Sequence, residues 1–212
     1  MGVCVSGSSL GGIIWPIALR NLFQEVGFGW GVRISGFIML PLVVLGCIFI
    51  RLPAANANAL KKAPAKPDFA VVLKNVPLIL LSLGMFCIYL GLFTPFFYIT
   101  SWTISRGLDA SLGFYMVSII NAASLPGRIL PGLLADKLGA FNMVIVATAI
   151  SGLICMCWTK ATSIGGIVVL SLAYGFASGA FIGIQGVCAA QLVKPHQYGL
   201  AMGFVFSILS FA

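Results

Sequence analysis

Acidic side chains are nearly missing from this chain: Asp and Glu number 4 against 12 Lys and Arg in 212 residues, and there is 1 histidine. Charged residues of both signs make up 8% of the sequence, where soluble domains carry about 25%. So little charge cannot cover a water-facing surface, and that excludes an ordinary soluble domain. Glu25, Asp68, Asp109 and Asp136 all read as loop or helix-end residues, and His196 lies in a turn. The apolar runs therefore hold neither a carboxylate nor a histidine for a proton relay. Metal and redox signatures are missing too, with no Cys-x-x-Cys and no His-Glu-x-x-His. The cysteines, Cys4, Cys47, Cys87, Cys155, Cys157 and Cys188, lie inside apolar runs and read as small apolar fillers. No paired carboxylates or Ser–His arrangement within the runs supports an enzyme. No metal and no cofactor is expected.

What the chain has is lipid-compatible length. Hydrophobic residues make up 60% of it, and the mean hydropathy is +1.11. A membrane-spanning helix takes about 20 residues, so this length holds about seven spans and no extramembrane domain. The net charge is +8. The basic residues sit at the ends of apolar runs, which makes them orientation signals rather than a nucleic-acid surface. The bilayer is the expected partner, and no nucleic acid is.

The charges cut the sequence into segments. Spans are expected at 2–20, 32–51, 76–101, 112–134, 141–159 and 164–191. Another starts near Tyr198 and runs short of a full crossing at Ala212. Residues 21–31 read as a short loop holding Glu25 and several glycines. Residues 53–75, with Pro53, Pro64, Pro67, Lys61, Lys62, Lys66 and Lys74, read as a polar linker. The fold class is thus an all-α membrane protein with six full transmembrane helices and a partial seventh. Spans alternate sides, which groups Arg51, Lys61, Lys62, Lys66, Lys74, Lys137 and Lys194 on one face. Arg20, Arg33, Arg106 and Lys160 take the other. The positive-inside rule makes the richer face, and hence the central linker, cytoplasmic.

Arg128 is the most informative residue. An arginine at mid-bilayer costs roughly 2.5–3.5 kcal/mol on insertion scales. It either snorkels to the cytoplasmic interface or faces a watery cavity and attracts an anionic solute. Ser124 and Asn121 lie one and two turns earlier on its helix face, which makes a polar strip of candidate substrate-binding residues. In the 164–191 span, Gly175, Gly179, Gly183 and Gly186 form a small-residue stripe for close helix packing.

The stretch Gly132-Leu-Leu-Ala-Asp136-Lys137-Leu-Gly139 ends one span and turns into the next, with Gly139 suited to a tight turn and Asp136 to a neighbouring helix N-terminus. Gly132-x-x-x-Asp136-Lys137-x-Gly139 resembles the conformational signature loop of the major facilitator superfamily, in its copy between helices eight and nine. The longer run from Gly127 to Gly139 is similar to fungal monocarboxylate-transporter-like members. So are Gly91-Leu-Phe-Thr-Pro95-Phe-Phe-Tyr98 and Ser6-Gly-Ser-Ser-Leu-Gly11-Gly. The resemblance covers essentially the whole chain.

The resemblance implies an incomplete major facilitator fold. Residues 1–52 would be helices five and six, 53–75 the linker between halves, and 76–212 helices seven to eleven, the last incomplete. The chain would then be a fragment of a carrier that moves a small organic solute, a monocarboxylate or other organic anion, by alternating access. Protons are the candidate coupling ion. Arg128 matches the family's substrate-binding arginine of helix eight. Where several animal members carry an aspartate four residues earlier, this chain has Ser124, so the usual proton-coupling pair is incomplete. Tyr174, Phe176 and Phe181 in the tenth helix read first as packing residues. The alternative reading is a non-transporting membrane partner that modulates a full-length relative.

Overall fold

A computed structural model describes residues 2–49 and 69–212. Among them only helices and turns occur. Helix α1 is Gly2–Phe49, α2 Phe69–Leu73, α3 Val76–Leu92 and α4 Thr94–Ser105. Helix α5 is Ala110–Leu138, α6 Ala140–Cys157, α7 Ile164–Gln191 and α8 Tyr198–Leu209. Short 3-10 turns at Trp158–Lys160 and Pro195–Gln197 join the last three. Five helical runs, Val5–Phe49, Val76–Ser105, Ser111–Leu138, Ala140–Lys160 and Ile164–Gln191, are long and apolar enough to cross a membrane.

The loop expected at 21–31 contracts to a single residue: Glu25 is helical, and the run α1 is two helices that meet at a break at Gly27, with φ 75° and ψ 169°. That backbone conformation is open to glycine and strained for other residues. The two arms meet beside it: the Phe23 and Phe28 rings are 5.2 Å apart, and Phe23 lies against Gly31. Beyond the break every residue from 36 to 49 is exposed, nearly all of them apolar, as suits a helix whose solvent is lipid.

Contacts divide the chain into two compact units, residues 17–67 and residues 1–16 with 68–212. In the larger, α5 and α7 form the most extensive contact. One core cluster joins Leu78, Met85, Phe181, Ile184 and Val205; a second joins Ile99, Met116, Ile120 and Tyr174.

Three other expectations shift. The run 76–101 is two helices, broken at Phe93. Pro95 near the start of α4 has no N–H to give back to α3. The Tyr174 hydroxyl donates to the Leu92 carbonyl across this break at 2.5 Å. The stretch read as linker contains α2, and Asn75 caps α3 by accepting from Leu78 N while its amide donates to Leu192 O. The span expected to end at 134 runs on: α5 continues to Leu138 and ends on Gly139 at φ 90°. The remainder of the linker lies outside the described residues.

Candidate functional site

Helix α5 carries the predicted polar strip. Two prolines, Pro126 and Pro131, bracket Arg128 within the helix, and each removes a helix hydrogen bond. The glycines of α7 set the distance to the neighbour. A Cβ at Gly179 would stand 2.5 Å from the Ser124 carbonyl oxygen, and one at Gly183 2.8 Å from that of Arg128. Gly175 and Gly127 are equally tight, against Ile120 and Phe176. The stripe is therefore a backbone-to-backbone seam between α5 and α7. It leaves the other face of α5 to carry the polar groups.

On that face Arg128 does not run outward along its helix. It is 7% exposed, and Nη1 donates to the Val5 carbonyl at 2.6 Å and to the Ser8 hydroxyl. Its Nε is buried with no hydrogen-bond partner. Ser124, 1% exposed, shares a 2.9 Å hydrogen bond with the Ser9 hydroxyl and also donates to Asn121 O. The Asn121 amide donates to Val117 O, and its carboxamide fills the space where Gly12 has no side chain. One turn further back, Ser118 donates to the Ile13 carbonyl. All three strip residues thus meet one element, the opening turns of α1.

A second polar pair lies close by. The Tyr89 hydroxyl on α3 donates to Gln185 Oε1 on α7 at 3.0 Å. Tyr89 also packs edge-on against Phe181 and lies within electrostatic range of Arg128. Chemically the region offers a fixed cation, an unspent guanidinium N–H and a carboxamide. Such a set suits an organic anion.

The loop motif sits elsewhere. Asp136 and Lys137 are exposed, and Asp136 accepts no hydrogen bond among the described residues, so it does not hold the next helix start. Gly132 has open space where a Cβ would be, and Gly139 supplies the positive φ. The motif and the strip share α5 but form no common site. Of the aromatic residues on α7, Tyr174 and Phe181 are buried in the core, while Phe176 is exposed.

Sequence comparison places this arrangement. A profile of the Major Facilitator Superfamily matches residues 1–212. The chain belongs to that superfamily. It is 60% identical over its whole length to the agnestins efflux protein AgnL12 of Paecilomyces divaricatus, covering 48% of that protein. It is 39% identical, again over its whole length, to the aspyridones efflux protein apdF of Emericella nidulans, covering 43% of it. The MFS-type transporter pynF of Aspergillus niger is 36% identical over 96% of the chain, which covers 48% of that relative. The chain thus spans about half the length of the curated relatives it matches. Superfamily membership and the long apolar helices make it an integral, multi-pass membrane protein.

The contacts that sequence reasoning missed are those to α1, through Val5, Ser8, Ser9 and Gly12, and the Tyr89–Gln185 pair. A usable signal existed for the first. Apart from Leu10, residues Ser6 to Gly12 are all serine or glycine, which marks a helix segment suited to close approach.

Proposed function

We propose that this chain forms the Arg128-bearing part of a transporter that moves a small organic anion, a monocarboxylate among the candidates, across the membrane by alternating access. One observation carries the reading. Among the described residues, a buried guanidinium inside a membrane span has only neutral acceptors and keeps one N–H unspent. A charge held there without a counter-ion suits a site whose missing partner is an anion that comes and goes. The efflux proteins among its relatives favour outward movement of the solute. Ser124 and Asn121 hold the strip that orients Arg128. Gly132, Asp136, Lys137 and Gly139 act at the helix junction during the conformational change. The central linker faces the cytoplasm, as its basic residues suggest. Proton coupling, if the carrier uses it, does not run through a carboxylate at position 124.

The test is substitution of Arg128 in membranes that carry the transport activity. Arg128→Ala should lower transport of an organic anion such as benzoate at least ten-fold, with Arg128→Lys retaining part of it. Both variants should reach the membrane in normal amount. Undiminished transport by Arg128→Ala removes this residue from the mechanism.

A further inference from the structure

Helix α7 carries one polar group that its packing does not use up. The helix holds no charged residue, and Gln185 is its only amide before the terminal Gln191. A carboxamide in an apolar span costs free energy unless its hydrogen bonds are met. Here they are met in part. Gln185 Oε1 accepts from the Tyr89 hydroxyl at 3.0 Å, and among the described residues its amide nitrogen finds no acceptor. The Tyr89 oxygen has given its proton and keeps its capacity to accept. Both side chains are half-buried, so the pair is not sealed into the core.

The pair stands at the depth of Arg128. Gly183 lies against the Arg128 backbone, and Gln185 follows it by two residues, a rise of about 3 Å. Tyr89 lies within electrostatic range of the same guanidinium. Edge-on packing against the fully buried Phe181 fixes the phenol ring. Joining α3 to α7 does not require this pair, because Leu78, Met85, Phe181 and Ile184 already do so in one core cluster.

The direction of the bond decides what is left over. Because Tyr89 donates and Gln185 Oε1 accepts, the unspent groups are the amide N–H donors and one phenolic acceptor. A hydroxyl is donor and acceptor in one atom and satisfies both. A carboxylate would satisfy only the amide, and an ammonium only the phenol.

We infer that Tyr89 and Gln185 read a hydroxyl on the solute, so that the anion drawn to Arg128 is a hydroxy-substituted carboxylate. This rests on the anion-site reading above and adds the second group by which the solute is chosen. A solute without the hydroxyl forfeits those hydrogen bonds and keeps its attraction to the guanidinium. Arg128 thus sets whether an anion binds, and the pair sets which one.

The experiment uses the chain in membranes with radiolabelled benzoate. The label is displaced by unlabelled benzoate or by ortho-, meta- or para-hydroxybenzoate, whose hydroxyls sample different separations from the carboxylate. At least one isomer should bind about ten-fold more tightly than benzoate. Tyr89→Phe and Gln185→Leu should each bring that isomer down to the level of benzoate and leave benzoate itself unchanged. Arg128→Gln should lose benzoate and every isomer. Suppose benzoate binding depends on Arg128, but no isomer binds more tightly, or the advantage survives in either variant. The hydroxyl reader is then overturned and the anion site stands. Variants that lose benzoate together with the isomers assign the pair to packing and overturn the reader as well. Benzoate binding that is unchanged in Arg128→Gln, or not seen at all, overturns the anion site and this inference with it.

Discussion

The seam between α5 and α7 yields the sharpest quantitative expectation. At Gly179 an added Cβ would come within 2.5 Å of the Ser124 carbonyl oxygen and 2.8 Å of the Ser124 Cα, both backbone atoms. Ordinary contact begins at 3.4 Å, so Gly179→Ala requires the helices to move apart by about 0.9 Å at that point. Overpacking of this kind costs about 1–3 kcal/mol. It works against the gain of about 0.5–1 kcal/mol that alanine brings to a helix interior. The controls are Gly84 and Gly152, helical glycines with open space where the Cβ would go. The assay is the midpoint of thermal aggregation of the detergent-purified chain. For a chain of this size 1 kcal/mol corresponds to about 2–4 °C. The net cost, up to about 2.5 kcal/mol, means that Gly179→Ala should lower the midpoint by up to about 10 °C on that scale, while Gly84→Ala and Gly152→Ala should leave it unchanged or raise it. If Gly179→Ala behaves like the two controls, the close approach of α5 and α7 is wrong.

Three further outcomes are expected. Tyr174→Phe removes the hydrogen bond to Leu92 and leaves a buried carbonyl unpaired, at a cost of about 1–3 kcal/mol. The ring contacts with Phe96 and Trp158 survive, so the same thermal assay should show a lower midpoint with normal membrane insertion. Gly139→Ala forces a side chain onto a φ of 90° and should cost about 1–3 kcal/mol, whereas Gly132→Ala, on the same motif but in open helix, should be neutral or stabilising. Asn75→Ala loses both the cap on α3 and the bond to Leu192. Loss of a cap alone costs about 1 kcal/mol, and limited proteolysis should then cut faster around residues 69–76.

How much of this was readable beforehand depended on what each feature is made of. The span 164–191 could be read to the residue, because uncharged sequence between Lys160 and Lys194 leaves one place for a helix. That residues 121, 124 and 128 share one helix face followed from helical spacing alone, whereas the burial of Ser124 and Arg128 did not. The break between the first two spans falls inside 21–31, but it is one residue long, because Arg20, Glu25 and several glycines weaken the apolar signal without ending the helices. In a lipid-facing segment, backbone hydrogen bonding keeps the chain helical through such residues, and only Gly27 leaves helical geometry. The break at Phe93 was hidden for the opposite reason: hydropathy stays high across it, and the stop is written in Pro95 alone. The partners of Arg128 lie more than one hundred residues away in sequence, and periodicity carries no information at that range.

The interruption at Phe93 has a consequence for how the third span keeps its form. Its joint is fastened by the local contacts of the Phe93 ring with Tyr89, Phe96 and Phe97, and also by a phenol from another helix, Tyr174. A synthetic peptide of residues 76–105 in micelles would lose that fastening, and the elbow between its two arms should wander. Within the protein the elbow is steered by α7, which makes a distant helix the custodian of the angle at which α4 meets the lipid.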